Sequence, residues 1–549
     1  MNSYPTLRRW LAAGFTVSVF ALVLAGMAWS THSAKGRAGA AAADDKAEHG
    51  WTMFGGTLSR NFVNTFERNI PSEWSIESGS EKHIKWSVDL GSKAYGGPII
   101  SGGKVFVGTN NKKPRNPRDV DKVNKEPLDK GIIMCFRESD GTFLWQAVHD
   151  KLGAGRVNDW PEEGICSSPT VEGNRLYYVS NRCELICADT EGFLDGKNDG
   201  VQDEQYKDPT DADVVWRLDM IKELNVFPHN LAVCSPLVKG DVIYVITSNG
   251  VDEGHINVPA PRAPSFIAVN KKTGKVLWQK NYPTMNLLKP GANLKELVDR
   301  GLVLMHGQWS NAVYAEVNGK GQIIFPGGDG WLYSVEPQTG DIIWRFDCNP
   351  KGSIYVLGTK GTRSDFVATP VVQDNKVYIG VGQDPEHKEG VGHLWCIDVT
   401  KKGDVTPVNN NFNPDDPVNK GSALIWHYGG LAPEGSDRNY IFGRTLSTCA
   451  VHDGLVYTAE LAGNVHCLDA RTGKKYWEHD MGAATWSSPY WVDGKVYVGN
   501  DNGELLIFAH GKEKKLLATI NMEGKIRATP VAANGVLYVM TENKLYAIK

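Results

Sequence analysis

The chain repeats one line of text. A small residue or Ser-Pro opens an alternating apolar strand, a Gly turn leads into further strands ending in Asp, and Thr-Gly precedes a Trp. Clear copies run from Ser235-Pro236 to Trp278 and from Thr448 to Trp477. A fixed period built from strands and turns folds as a propeller or a solenoid. It also assigns most of the Trp, Gly and Pro to architecture before any is considered for chemistry. At 549 residues the chain would otherwise suggest several domains, but a repeat array can run as one unit.

First strands begin near Gly96-Gly97-Pro98, Ser167-Ser168-Pro169, Ser235-Pro236, Ser310-Asn311, Thr369-Pro370, Ser447-Thr448, Ser487-Ser488-Pro489 and Thr529-Pro530, which makes eight copies. Fourth strands carry Trp145, Trp216, Trp278, Trp344, Trp426 and Trp477; the seventh copy has Leu516-Leu517 instead, and the eighth stops at Lys549 after its third strand. The segment from His83 to Val88, before the first copy, matches the missing Trp strand. If it completes the last blade, the ring closes and no blade is left short of a strand. The expectation is an all-β, eight-bladed β-propeller over residues 84–549, closed by an N-terminal strand and preceded by a lead-in segment, 44–83. The repeated Trp is expected to pack between neighbouring blades, worth roughly 2–3 kcal/mol per junction by burial.

Arg8 and Arg9 precede an uncharged apolar stretch from Trp10 to about Trp29 and a polar, Ala-rich segment with Ala41-Ala42-Ala43. Residues 1–43 therefore read as a signal peptide or a retained N-terminal membrane anchor, and the mature chain as exported to the periplasm or cell envelope. No Cys precedes Cys135, which argues against a lipoprotein anchor on this segment. Of nine Cys, Cys135, Cys187, Cys396 and Cys467 share one slot near the end of the third strand, where a small buried residue suffices. Cys166, Cys183 and Cys234 leave room for one disulfide. No His lies at CxxC spacing for zinc. A formal charge of −4 gives no basis for nucleic-acid binding.

In a four-stranded blade, loops between strands two and three share a face with the blade-to-blade connections. The insertions 109–130, 249–264 and 381–391 are of the first kind; 148–165, 281–308 and 428–446 are of the second. All six crowd one face, and only 190–213 and 400–421 fall on the other. The crowded face is the candidate working surface. Residues just before each inner strand should point into the channel mouth there: Tyr95, Glu163, Asn230, Trp309, Asp365, Arg444, Trp486 and Arg527. Two carboxylates, two arginines and three aromatic rings converging on one funnel suit a ligand or partner site, against the plainer reading of a hydrated rim. Asp195, Asp199 and Asp203 in DGKNDGVQDEQY sketch a calcium loop, although Lys197 occupies a ligand position and Tyr206 replaces the closing Glu. The stretch 291–300 reads as a short amphipathic surface helix. No GxSxG, HExxH or phosphate-cradling glycine loop is present.

The pattern SPxVxxGxVYVG, the small-x-Asp strand end and Thr-Gly-x-x-x-Trp are similar to the PQQ-like repeat family over roughly residues 84–549. Trp51 to Gly56, with Arg60-Asn61, resembles the lead-in common in that family. The resemblance implies one of two activities. BamB-like members are non-enzymatic propellers that scaffold outer-membrane protein assembly. Quinoprotein alcohol dehydrogenases hold pyrroloquinoline quinone (PQQ) and calcium in the funnel, typically with an adjacent Cys-Cys pair, a stacking Trp, a Glu/Asn/Asp calcium set and an Asp base. No two Cys are adjacent in this chain. Trp309 or Trp486 could serve as the stacking floor, and Glu163, Asn230 and Asp365 as the calcium set. The favoured expectation is an exported, non-catalytic binding or assembly scaffold at the cell envelope, with a protein or envelope-component partner and no cofactor. The alternative is a periplasmic PQQ- and calcium-dependent alcohol dehydrogenase-like oxidoreductase.

Overall fold

Each copy of the repeat forms an antiparallel blade, because its apolar alternation can be buried only against the neighbouring copy. Blade six is typical: Ala450–His452 lines the channel, followed outwards by Leu455–Ala459, Asn464–Asp469 and Lys475–Asp480. A computed structural model describes residues 49–282, 306–356 and 361–549, together with Asn293 and Glu296. The signal or anchor segment, and nearly all of the helix expected over 291–300, lie outside these residues. Eight such sheets form the ring. It closes as expected: Ile84–Asp89 pairs antiparallel with Lys544–Ile548, setting Trp86 opposite Ala547.

The blade Trp joins each blade to the next. Trp86, Trp145, Trp216, Trp278, Trp426 and Trp477 each donate the indole N–H to a backbone carbonyl of the following blade, at 2.9–3.1 Å. The turn glycine of that following blade lies against the ring, and a Cβ on Gly274 or Gly473 would come within 2.7 Å of Trp216 or Trp426. Thr-Gly therefore serves both its own turn and its neighbour's indole. Trp344 departs from the pattern and donates within its own blade, to Gln322 Oε1 (2.7 Å). In the seventh blade the register sets small Ala518 opposite Ile507, the reverse of the small-opposite-Trp pairing of the other blades. Leu516 and Leu517 stay about two-fifths exposed. Trp74 of the lead-in, donating to Met522 Sδ (3.1 Å), and Pro71, accepting from the Tyr497 hydroxyl (2.8 Å), cover this part of the ring.

The Ser/Thr that opens each repeat also has a physical role. Around the mouth, backbone N–H groups of one blade donate to a side-chain oxygen of the next: Ser168 to Ser235, Ser235 to Asn311, Thr369 to Thr448, Thr448 to Ser488 and Ser488 to Thr529, at 2.6–3.3 Å. The Asn311 amide continues the belt to Thr369 Oγ1 (2.8 Å). Satisfying these buried donors inside the ring removes a desolvation penalty that each inner strand would otherwise carry.

The lead-in closes the far end of the channel, touching every blade in turn. Trp51, Thr52, Leu58, Ser59 and Phe62 offer carbonyls to the N–H groups of Ile100, Val171, Tyr314, Val372 and Trp491. Arg60 reaches the third blade at Ser235 O and Pro236 O, Asn61 exchanges two bonds with Val451, and Asn64 donates to Ala532 O.

The four slot cysteines stand directly opposite the blade Trp, Cys135 facing Trp145, Cys187 Trp216, Cys396 Trp426 and Cys467 Trp477. All nine thiols are free, so Cys166, Cys183 and Cys234 form no disulfide. Instead Cys183 donates to Thr247 O (3.3 Å) and Cys234 accepts from Ile246 N (3.3 Å). The insertions 190–213 and 400–421 run outwards and cover the edge strand of the preceding blade: Gln146 bridges Asp211, and Gly403–Asp404 pairs parallel with Ile342–Asp347. Covered edges do not invite pairing with other chains.

Candidate functional site

Described residues of the crowded-face insertions meet one another and the lead into the third inner strand around the channel mouth. Trp160 N donates to Asn230 O (2.9 Å), Asn110 donates to Glu162 O, and Arg444 donates to the carbonyls of His387 and Lys388. They enclose a cavity of about 400 Å³ lined by Tyr95, Trp160, Glu163, Asn230, Trp309, Trp486 and Arg527, with Phe54 of the lead-in also contributing. Six of the eight residues expected at the mouth thus share one wall. Asp365 lies in a neighbouring, smaller void with His306 and Asp384. Arg444 turns aside, and its other contact is Gln383 Oε1 (2.5 Å).

The charges in the cavity are largely committed. Arg527 forks onto Asp501 (3.1 and 2.8 Å), donates to the Tyr95 hydroxyl (3.0 Å) and lies 4.8 Å over the Trp486 ring. Lys93 stands 3.9 Å from Glu163. Glu163 Oε2 and Asn230 Oδ1, by contrast, are buried with no hydrogen-bond partner. Burial first, then the neighbouring Cys166 and Glu163, pushes the Tyr95 hydroxyl far above its usual value, so it stays protonated.

Behind one wall lies a cluster for which no sequence spacing gives a sign. His229 precedes the third inner strand, and His255 belongs to the insertion 249–264. His306 belongs to 281–308, and Asp384 and His387 to 381–391. His255 Nε2 is 2.9 Å from His306 Nε2, and His306 Nε2 is 3.2 Å from Asp384 Oδ2. His306 Nδ1 lies 2.9 Å from Asp365 Oδ2 without the alignment of a hydrogen bond, and His387 Nδ1 meets Asp384 Oδ2 at 2.8 Å. Trp309 stacks on His229 (5.4 Å between centroids, 22°) and donates to its carbonyl (3.1 Å), tying the cluster to the cavity wall. Burial, with the neighbouring histidines adding to it, holds His229 neutral, its pKa lowered to about 2, and His255 neutral near 4. For His306, burial pulls the other way but is outweighed by Asp365 and Asp384, and the pKa rises to about 9.

The aspartates of the 195–203 loop do not converge. Asp195 pairs with Lys197 (2.7 Å), Asp199 with Arg175 (3.3 Å) and Asp203 with Arg217 (3.4 Å). Three separate cations satisfy them, and the loop serves as the outward insertion described above.

The calcium set carried by the dehydrogenase resemblance is split. Glu163 and Asn230 line the mouth cavity, whereas the Asp365 carboxylate sits in the other void against His306. A quinone bearing several carboxylates would find Arg527 held by Asp501 and Arg444 turned aside. These residues do not fit a calcium-bound quinone.

Among curated proteins, the chain is 31% identical over 137 residues to a 1-butanol dehydrogenase (cytochrome c) of Thauera butanivorans, covering 22% of this chain and 20% of that protein. It is 25% identical over 156 residues to a tetrathionate hydrolase of Acidithiobacillus ferrooxidans, covering 28% and 26%. The matches therefore span only about a fifth to a quarter of those relatives. Among solved structures, the quinohemoprotein alcohol dehydrogenase ADHIIG of Pseudomonas putida HK5 superposes with a TM-score of 0.55 at 13% identity, over 91% of this chain and 80% of that one. BamB of Moraxella catarrhalis gives 0.47 at 14% identity, over 84% and 95%. At these identities the likeness is one of fold. The family model described as outer membrane protein assembly factor BamB matches residues 205–410 and 328–549; the matched stretches together span well over half of the sequence, and the chain belongs to this family of PQQ-like repeat β-propellers.

Proposed function

We propose that this protein is an exported, non-catalytic binding propeller of the cell envelope, and that its mouth cavity receives an apolar or aromatic segment of a protein partner carrying a cationic or N–H-donating group. The observation that carries this reading is the pair of buried, unpartnered acceptors, Glu163 Oε2 and Asn230 Oδ1, in a cavity walled by Tyr95, Trp160, Trp309 and Trp486. A buried acceptor without a donor costs about 1–3 kcal/mol, and a ligand that supplies the donor recovers it. Aromatic walls suit the accompanying apolar body and a cation over their faces. The crowded face offers one entrance, since Phe54 and the lead-in occupy the opposite end. Family membership supports a role in assembly at the envelope, and the apolar N-terminal stretch supports export.

The competing reading is a PQQ- and calcium-dependent oxidoreductase. It is weakened by the separation of Asp365 from Glu163 and Asn230, by the committed arginines and by the lack of an adjacent Cys pair. The experiment that separates the two readings measures both activities on the mature chain. Short peptides with one Lys or Arg flanked by apolar residues should quench tryptophan fluorescence saturably, and Glu163→Gln should weaken that binding by about 10-fold or more, the scale of one charge-assisted hydrogen bond. Dye-linked alcohol oxidation should stay at background after incubation with PQQ and calcium. Quinone-dependent turnover abolished by Asp365→Asn would overturn the binding reading.

A further inference from the structure

We propose that the buried cluster beside the mouth is a closed transition-metal site, selective for zinc, with His229, His255, His306 and Asp384 as ligands. This inference does not depend on what the mouth binds.

Among the described residues, one ring nitrogen from each of His229, His255 and His306 falls within 4.8 Å of the others, and His306, Asp365 and Asp384 form a second such group that shares His306. His229, His255, His306 and Asp384 are all 6% exposed or less. Of these, His255, His306 and Asp384 line a void of about 30 Å³, room for a single water-sized occupant, and His229 stands behind it. Four ligands around a tetrahedral zinc at its usual bond lengths stand about 3.3 Å apart. The separations of 2.9 Å from His255 to His306 and 3.2 Å from His306 to Asp384 lie close to that spacing.

The surroundings also supply what a metal site needs. Nδ1 of His229 faces Val251 O at 2.9 Å, fixing the tautomer that leaves a lone pair on Nε2, where Asn230 Nδ2 lies at a long 3.5 Å. His387 holds the Asp384 carboxylate, an outer partner of the kind that orients a metal ligand, and the Asp365 charge lies 2.9 Å from the outer nitrogen of His306. Two imidazole Nε2 atoms face each other at 2.9 Å, and both Asp365 oxygens and His306 Nδ1 are buried without a hydrogen bond. Three imidazoles and one carboxylate suit zinc by ligand type and number, and four protein ligands leave no open position, so the ion is structural.

Its consequence is mechanical. The ligands come from the lead into blade three, an insertion of blade three, the connection from blade three to four, and an insertion of blade five. One ion would staple these segments as a disulfide would. It would fix the wall carrying Asn230, Trp309 and Glu386, since Trp309 stacks on a ligand and Asn230 follows one in sequence.

The test uses the full mature chain, stripped with chelator and dialysed, then titrated with zinc and with cobalt by calorimetry and absorbance. The expected result is one ion per chain, visible bands of tetrahedral cobalt, a change in tryptophan emission on loading, and a raised melting temperature. His255→Ala and His306→Ala should each weaken binding at least 100-fold. His387→Ala, outside the ligand set, should bind within about 10-fold of wild type, and Asp195→Ala should bind as wild type does. If a ligand variant fails to fold, the stripped wild-type chain still decides the matter. Failure to bind one zinc tightly, octahedral cobalt, or undiminished affinity in His255→Ala would each overturn the site.

Discussion

Arg60 lies at the centre of the floor that the lead-in lays across the channel, and its replacement tests whether that floor is an integral part of the fold. The side chain is completely buried and donates to Phe54 O (2.8 Å), Ala312 O (3.1 Å), Ser235 O (3.0 Å) and Pro236 O (3.0 Å). Burial lowers its pKa from 12.5 to about 10, equivalent to about 3 kcal/mol against the charged form; the group still remains charged at neutral pH. Four hydrogen bonds from a charged donor, at about 1.5–3 kcal/mol each, outweigh that cost. In Arg60→Met the desolvation cost disappears with the bonds. Pro236 O keeps the Thr170 hydroxyl (2.7 Å), and three carbonyls are left bare. At about 1–2 kcal/mol each, the net loss should be about 3–5 kcal/mol. Arg60→Lys, with a compact ammonium in place of a fork, should recover less than half of it. Urea unfolding of the mature chain, followed by tryptophan fluorescence, gives the comparison through the shift in midpoint at constant slope. If Arg60→Met unfolds within about 0.5 kcal/mol of wild type, the lead-in is an ornament on a ring that stands without it.

Replacing Ile84–Asp89 with a Gly-Ser run of equal length keeps the floor but removes the closing strand, and should abolish the single cooperative transition; wild-type melting would refute ring closure. Trp477→Ala should cost about 3–5 kcal/mol in urea unfolding, since the indole is 6% exposed and its N–H holds Gly511 O (3.1 Å), and a loss under 1 kcal/mol would refute its place in the junction. Acid should also destabilise the fold through the fifth blade, where His393 Nδ1 meets His427 Nε2 at 2.8 Å and burial lowers the His393 pKa from 6.5 to about 4. The unfolded chain takes up that proton first, so this contribution is intact above pH 6.5 and is lost progressively down to pH 4, about 3 kcal/mol in all. His393→Gln should show a shallower loss over that window in pH-dependent unfolding, and an identical slope would refute the assignment.

How much of this was legible in the sequence depended on whether the responsible contacts repeat. Blade number, strand order, the closing strand at Trp86 and the packing role of Trp and Cys follow from a period that recurs eight times, so a single misread copy is corrected by the others. The lead-in resembles a family segment, but its circuit of all eight blades uses each residue once and leaves no period to detect. The outward course of 190–213 was likewise hidden, because covering a neighbour's edge strand requires only a few backbone bonds, such as Gln146 N to Thr210 O. Position before an inner strand brought Tyr95, Glu163, Asn230, Trp309, Trp486 and Arg527 to one cavity. The same rule cannot say which way a side chain turns: Arg444 reached loop carbonyls beside the cavity, and Asp365 faces the neighbouring void against His306. The histidine cluster was the least legible feature. Its members come from four loops scattered over more than a hundred residues, and only the ring geometry brings them together.

The two ends of the channel are closed by different physics, and that difference bears on what the protein can bind. At the floor, backbone carbonyls of 51–62 answer backbone donors of the inner strands, a contact that is insensitive to side-chain identity except at Arg60, Asn61 and Asn64. At the mouth, the walls are side chains on insertions, and their charges are largely spent on one another: Arg527 on Asp501, Arg444 on loop carbonyls, Asp384 on His306 and His387. On the proposed reading, a cavity whose cations are committed while Glu163 Oε2 and Asn230 Oδ1 remain unpaired would favour donors over anions. The ring supplies a rigid blind well, and the loops set its chemistry. Substitutions that free a guanidinium, such as Asp501→Asn beside Arg527, should therefore shift the preference of the well towards carboxylates without altering the ring beneath it.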